Sequence, residues 1–387
     1  MSETLLNQNQ INPIDWVKPA DWIDIRSGAL TNSVYFLVGH SADYTTYPTF
    51  TVRASVSSSG TYDVFVDGVK QASAVASGTT TTLTWSTLAL TTGYDVTYPA
   101  ALRTHIVRVT PTSSSNTLTA INKAEDSTYT SKGTLWIHFS ITNRIEVSKL
   151  CADEYYNFSR DKNPVLEAIT AEGDELQITG TYGLAGAFSD CANLKYLPVI
   201  EGNGSSISGT CAFVFDPSLK TVRLKNIKVT GYYNFAKNGI KNIICDNASV
   251  RFTGHQFYQA TSLQKLPAIN IISDYTDYID VITDDADLKD TFLDLTDAVS
   301  AKIVSCSNTS GLKGLIVSSS APFDSATSPQ IDVSSTGLDR AALVNLFNSL
   351  PTVTGGQVIN VTSATGASSL DATDLAIATA KGWTVTR

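Results

Sequence analysis

Four histidines, five cysteines and one acidic run are the residues of this 387-residue chain whose chemistry could build a site. His40, His105, His138 and His255 stand singly, with no His-x-x-x-His or Cys-x-x-Cys spacing to gather metal ligands. His105 and His138 fall in strand-like segments and read as structural; His255 falls in a turn, where an imidazole could face a ligand. The run Asp284-Asp285-Ala286-Asp287-Leu288-Lys289-Asp290 clusters oxygens of the kind calcium takes. It lacks the glycine and glutamate of a calcium-binding loop, so it reads as a solvated acidic segment. No nucleophile elbow, phosphate loop or dinucleotide turn is present. The paired carboxylates of a glycosidase can lie far apart in sequence, and nothing here marks such a pair. The expectation is a non-enzymatic protein with no catalytic residue, no metal and no cofactor.

Cys151, Cys191, Cys211, Cys245 and Cys306 are widely spaced and odd in number, and several adjoin periodic apolar positions. They read as small buried thiols, not a disulfide framework. Acidic residues outnumber basic ones, 36 to 27, and Lys and Arg form no cluster, which argues against nucleic acid and anionic lipid as partners. The opening MSETLLNQNQINPIDW lacks the basic and apolar regions of a signal peptide, and no run is long and apolar enough for membrane insertion. Synthesis in the cytoplasm without an export signal is expected.

Short runs of Val, Ile, Tyr and Thr bounded by Gly, Asp and Asn predict a mainly β chain. Residues 1–27 form a polar arm that carries Trp16 and Trp22. An arm too short to own a core either packs on the next domain or docks its aromatics into a partner. Between 28 and 122, strands are predicted at Ser33 to Val38, Phe50 to Val56, Tyr62 to Val66, Thr81 to Trp85 and His105 to Thr110. Asp67-Gly68 supplies a hairpin turn. This spacing predicts an N-terminal antiparallel β-sandwich. The YDVFVDG segment and the later THIVRVTP resemble the polycystic-kidney-disease type of sandwich, although its usual Trp-Gly pair is missing.

Beyond a connector at about 123 to 135 a repeat appears: a Phe, a short polar turn, then two apolar residues three apart. Phe188 precedes Leu194 and Leu197; Phe213 precedes Leu219 and Val222; Phe235 precedes Ile240 and Ile243; Phe257 precedes Leu263 and Leu266. Phe158 and Cys306 head looser copies. A coil of this length cannot bury its own apolar face, but stacked coils share a core, and the four phenylalanines mark their register. AFSDCANLKYLPVI and HQFYQATSLQKLPAIN resemble the bacterial surface-antigen class of leucine-rich repeats, with the acidic run breaking the period.

At the end, Leu338, Ala341, Ala342, Leu346 and Leu350 follow helical spacing, and Pro351 stops that helix. Gln357 to Val361 reads as a strand. A second helix begins near Asp371, which can cap the Asp374 amide, and Gly382 ends it. The fold expected is therefore mainly β: sandwich at 28–122, leucine-rich-repeat-like solenoid at 123–330, and a small α/β C-terminal cap at 331–387.

This order of arm, sandwich, repeat and cap resembles tailed-phage virion proteins, and the ending resembles the terminal unit of phage-encoded repeat proteins. The resemblance implies a virion location, in a tail fibre, baseplate or head fibre, with attachment through the N-terminal part. It implies other virion proteins as partners, a homo-oligomer, and host attachment through a surface glycan or protein. Trp16, Trp22, Tyr232, Tyr233, Tyr258, Tyr275 and Tyr278 are the candidate partner-binding residues, with packing between coils as the alternative for the tyrosines. A bacterial cell-surface adhesin of the same repeat class and a polysaccharide-degrading tailspike remain open alternatives.

Overall fold

The computed structural model describes residues 16–90, 92–97, 100–122, 133–151, 163–251, 256, 257, 260, 262, 263, 269, 270, 278–280, 290–296, 298–324 and 326–387. The chain is mainly β, with a solenoid-like stack of parallel strands over residues 175–386.

Each strand predicted in the first third forms. Ser33–His40 is central in a seven-stranded sheet, flanked antiparallel by Leu102–Pro111 and Thr134–Ser140. Thr61–Val66 and Val69–Ala76 extend it beyond Leu102–Pro111. They are joined at Asp67-Gly68, whose φ values of 47 and 83 suit a tight hairpin. Thr49–Val56 lies between Thr80–Thr84 and Leu118–Asn122 in a separate three-stranded sheet. Val34, Phe36 and Val38 from the first sheet share a core with Phe50, Val52 and Ala54 from the second.

Thr134–Ser140 follows the expected sandwich boundary at 122, yet it belongs to this sheet. All seven of its residues are buried, as are all eight of Ser33–His40, so both strands are covered on both faces. A two-residue alternation predicts one wet face. Here Tyr35, Leu37, Leu135 and Trp136 on the second face are covered by Trp22 and Ile25 of the preceding segment.

The sheets pass into the coils through backbone hydrogen bonds. Ala168–Ala171 pairs parallel with Thr134–Ser140, and Ile169 N then donates to Tyr196 O in the next coil. On the other sheet, Ile121 N donates to Glu146 O, Ile145 N to Gln177 O, and Ile178 N to Glu201 O. Hydrogen-bonded edges thus continue from both sheets into the stack, and one apolar cluster runs from Val34 to Trp383. The N-terminal sheets close the first edge of the stack, which would otherwise expose unpaired N–H and C=O groups.

Within the stack, Glu175–Gln177, Val199–Ser208, Thr221–Thr230, Ser249–Arg251 and Ile269–Asn270 pair in parallel. Phe188, Phe213, Phe235 and Phe257 lie one above another in the interior, each no more than 1 % exposed. Successive ring centroids are 5.4, 5.0 and 5.6 Å apart. Leu194, Leu219, Ile240 and Leu263 form a second buried row. The register read from the sequence is therefore the physical stacking register.

The last coils pair Ile303–Ser305, Ile331–Asp332, Val358–Asn360 and Thr384–Thr386. Helix Arg340–Ser349 is capped by Asp339, which accepts from Ala342 N, and it ends before Pro351 as expected. Helix Ala372–Thr379 begins with a capping box of Asp371 and Asp374. Arg340 bridges to both carboxylates and ties the two helix starts together.

Candidate functional surfaces

The structure turns the arm's tryptophans onto the chain's own sheet. Trp22 is 3 % exposed, and the half-buried Trp16 lies 5.1 Å edge-on from Trp136. Trp16 Nε1 donates to Glu167 Oε1 at 2.9 Å, and the Arg26 guanidinium covers the Trp136 ring at 5.1 Å. For Trp22 this is the packing alternative for the arm: the second sheet face needs an apolar cover, and the arm provides it.

Tyr232 is 44 % exposed and stands on the surface of its coil. Tyr233 packs with Phe215 against Cys211, Val214 and Ala236, which is the packing alternative. Tyr258 and Tyr275 lie outside the described residues. Tyr278 begins the strand Tyr278–Asp280, but its side chain lies outside the description. Tyr182, 59 % exposed, was not singled out by sequence, because no repeat position marks it.

Three residues far apart in sequence meet inside the N-terminal sheets. His40 Nε2 lies 3.3 Å from His105 Nε2, and His105 Nδ1 lies 2.7 Å from Asp67 Oδ2. The rings are within 11° of parallel with centroids 5.3 Å apart, so the two Nε2 atoms face head to head. Trp85 stacks over both imidazoles, at 5.4 and 5.5 Å.

Burial tends to raise the Asp67 pKa, but donation from His105, the Ile106 amide and Thr92 outweighs it and holds the carboxyl below its ordinary value. Burial, together with the His105 and Arg103 charges, pushes His40 down. Both histidines are 2 % exposed, so the triad braces the sheets and is closed to substrate. Antiparallel register unites them, and no sequence spacing signals that.

His138 is buried, its pKa pushed down by burial, with Nδ1 3.0 Å from Thr170 Oγ1. His255 lies outside the described residues, as do residues 284–289 of the acidic run. All five cysteines are free thiols, four of them buried. Burial pushes Cys191 well up and Cys211 to about 12, which leaves both unreactive at neutral pH. Among the described residues no three His, Cys, Asp or Glu side chains group to hold a metal, and no helix is long and apolar enough to cross a membrane.

A concavity lies near the C-terminal end. Thr291–Leu295 pairs parallel with Leu312–Val317, which sets Phe292 opposite Gly314 and Asp294 opposite Ile316. Helix Arg340–Ser349 forms the other wall, anchored where Ser349 Oγ accepts from Val317 N. Between them is an open cleft of about 890 Å³, lined in part by Phe292, Asp294, Gly314 and Ile316. Phe292 is 74 % exposed beside it. Large exposed rings on a concave surface mark contact sites more often than scattered apolar atoms do.

Compared with models of known families, with curated proteins and with solved structures, the chain matches none.

Proposed function

We propose that this chain is a non-enzymatic structural and adhesion protein of a tailed-phage particle. In this reading the N-terminal arm and a sandwich of the polycystic-kidney-disease type attach to the virion, and leucine-rich-type coils present a surface to a host or partner molecule. The observation that carries the reading is the hydrogen-bonded passage from both N-terminal sheets into the coils, with the helical unit closing the far end. Stacked coils of this kind create an extended surface of the sort repeat proteins use for binding. The resemblance of the arm, repeat and ending to virion proteins supports the phage setting.

The test is to purify particles carrying the gene and locate the protein by mass spectrometry and immunogold labelling. The expected result is labelling by antibodies to the C-terminal coils, with the N-terminal sheets shielded. Absence from particles would overturn the proposal, and label on the bacterial envelope instead would favour a cell-surface adhesin.

A further inference from the structure

We infer that the cleft between the Phe292 face and helix Arg340–Ser349 is a carbohydrate-binding site. Directly across from Phe292 stands Gly314, where an added Cβ would lie 2.5 Å from a ring carbon. The missing side chain lets the ring rest against the neighbouring strand while staying 74 % exposed. That makes a supported aromatic platform, the surface on which the C–H face of a sugar ring stacks.

The opposite wall supplies hydrogen bonding. Ala341, Asn345 and Asn348 recur at helical spacing and are exposed along one stripe lining the cleft. The side-chain amides of Asn345 and Asn348 have no partner among the described residues, and each can both donate and accept, as vicinal hydroxyls require. Asp294 Oδ1 is held by the Thr296 amide and hydroxyl, which leaves the second oxygen for a ligand hydroxyl.

Charge narrows the choice. The rim carries Asp294 and Asp339 against Lys313, a slightly acidic balance that repels phosphate-rich ligands. A peptide added as a strand would need a row of unpaired backbone groups. Here a ring face and side-chain amides would meet the ligand, and a cleft of about 890 Å³ lies within the roughly 300–1,000 Å³ range of small-ligand sites. The adhesion reading above supplies only the biological source of the sugar, a bacterial surface polysaccharide.

The experiment is to apply the full chain to a printed array of bacterial surface glycans. At least one glycan should bind, and Phe292→Ala should weaken it by roughly tenfold or more, as loss of an aromatic anchor does. Gly314→Ala, which displaces the ring, should weaken it too, whereas Val69→Ala, at an exposed position on the N-terminal sheet, should leave it unchanged. Because Phe292 is largely exposed, its variant should melt with the parent, so lost binding reports the cleft. Binding to no glycan, or undiminished binding by Phe292→Ala, would overturn the inference. Particle-borne protein that binds no glycan removes the cleft and keeps the virion role; glycan binding by a protein absent from particles does the reverse.

Discussion

Phe213 and Phe235 stack with centroids 5.0 Å apart and planes 8° from parallel, the closest pair in the interior row that begins at Phe188. Each ring has an aromatic neighbour in the coils on both sides, so removing one empties space in three coils. Phe213→Ala should cost about 3–5 kcal/mol in urea unfolding, as buried Phe truncations do. Phe213→Leu should cost less than half as much. Equal losses would show that the stacked ring itself, and not the volume it fills, carries the stability.

Asp216 is fully buried, and Asn238 holds the equivalent place one coil later. Burial pushes the Asp216 pKa well above its usual range, although Cys191 N donates to Oδ1. The folded chain therefore keeps a proton that the unfolded chain releases above about pH 4. Stability from this group is present at low pH and lost as pH rises. Asn238 shows the remedy, since its Nδ2 donates to Phe235 O and its Oδ1 accepts from Ile240 N. Asp216→Asn should gain about 1–3 kcal/mol at pH 7.5 and lose that gain toward pH 4. A variant no more stable than the parent at pH 7.5 would refute this account.

His40 and His138 work in the opposite sense. Burial depresses both, so the unfolded chain takes up protons first as pH falls below about 6.5. Their stability is full above that value and declines from there downward. Melting temperatures measured from pH 8 to pH 5 should fall on the acid side, and His138→Gln should flatten the fall. An unchanged slope would place the acid sensitivity elsewhere.

Trp22 separates an inward arm from a docking arm. Trp22→Ala should destabilise the protein by about 3–5 kcal/mol, because a large ring leaves the cover of the second sheet face. A variant that melts with the parent would mean that this cover contributes nothing to folding.

Sequence alone was enough for everything that depends on neighbours along the chain or on a strict period. The strands of the first third, the Asp67-Gly68 turn, the Phe188-to-Phe257 register, the Asp371 cap and the stop at Pro351 are all local signals. Tertiary structure decided what depends on pairing between distant segments. It placed Thr134–Ser140 in the N-terminal sheet, folded Trp22 under that sheet, joined His40, Asp67 and His105, and set Phe292 over Gly314. The physical reason is register: periodicity says which face of a segment is apolar, but only the hydrogen-bonded partner strand fixes which residue that face will meet.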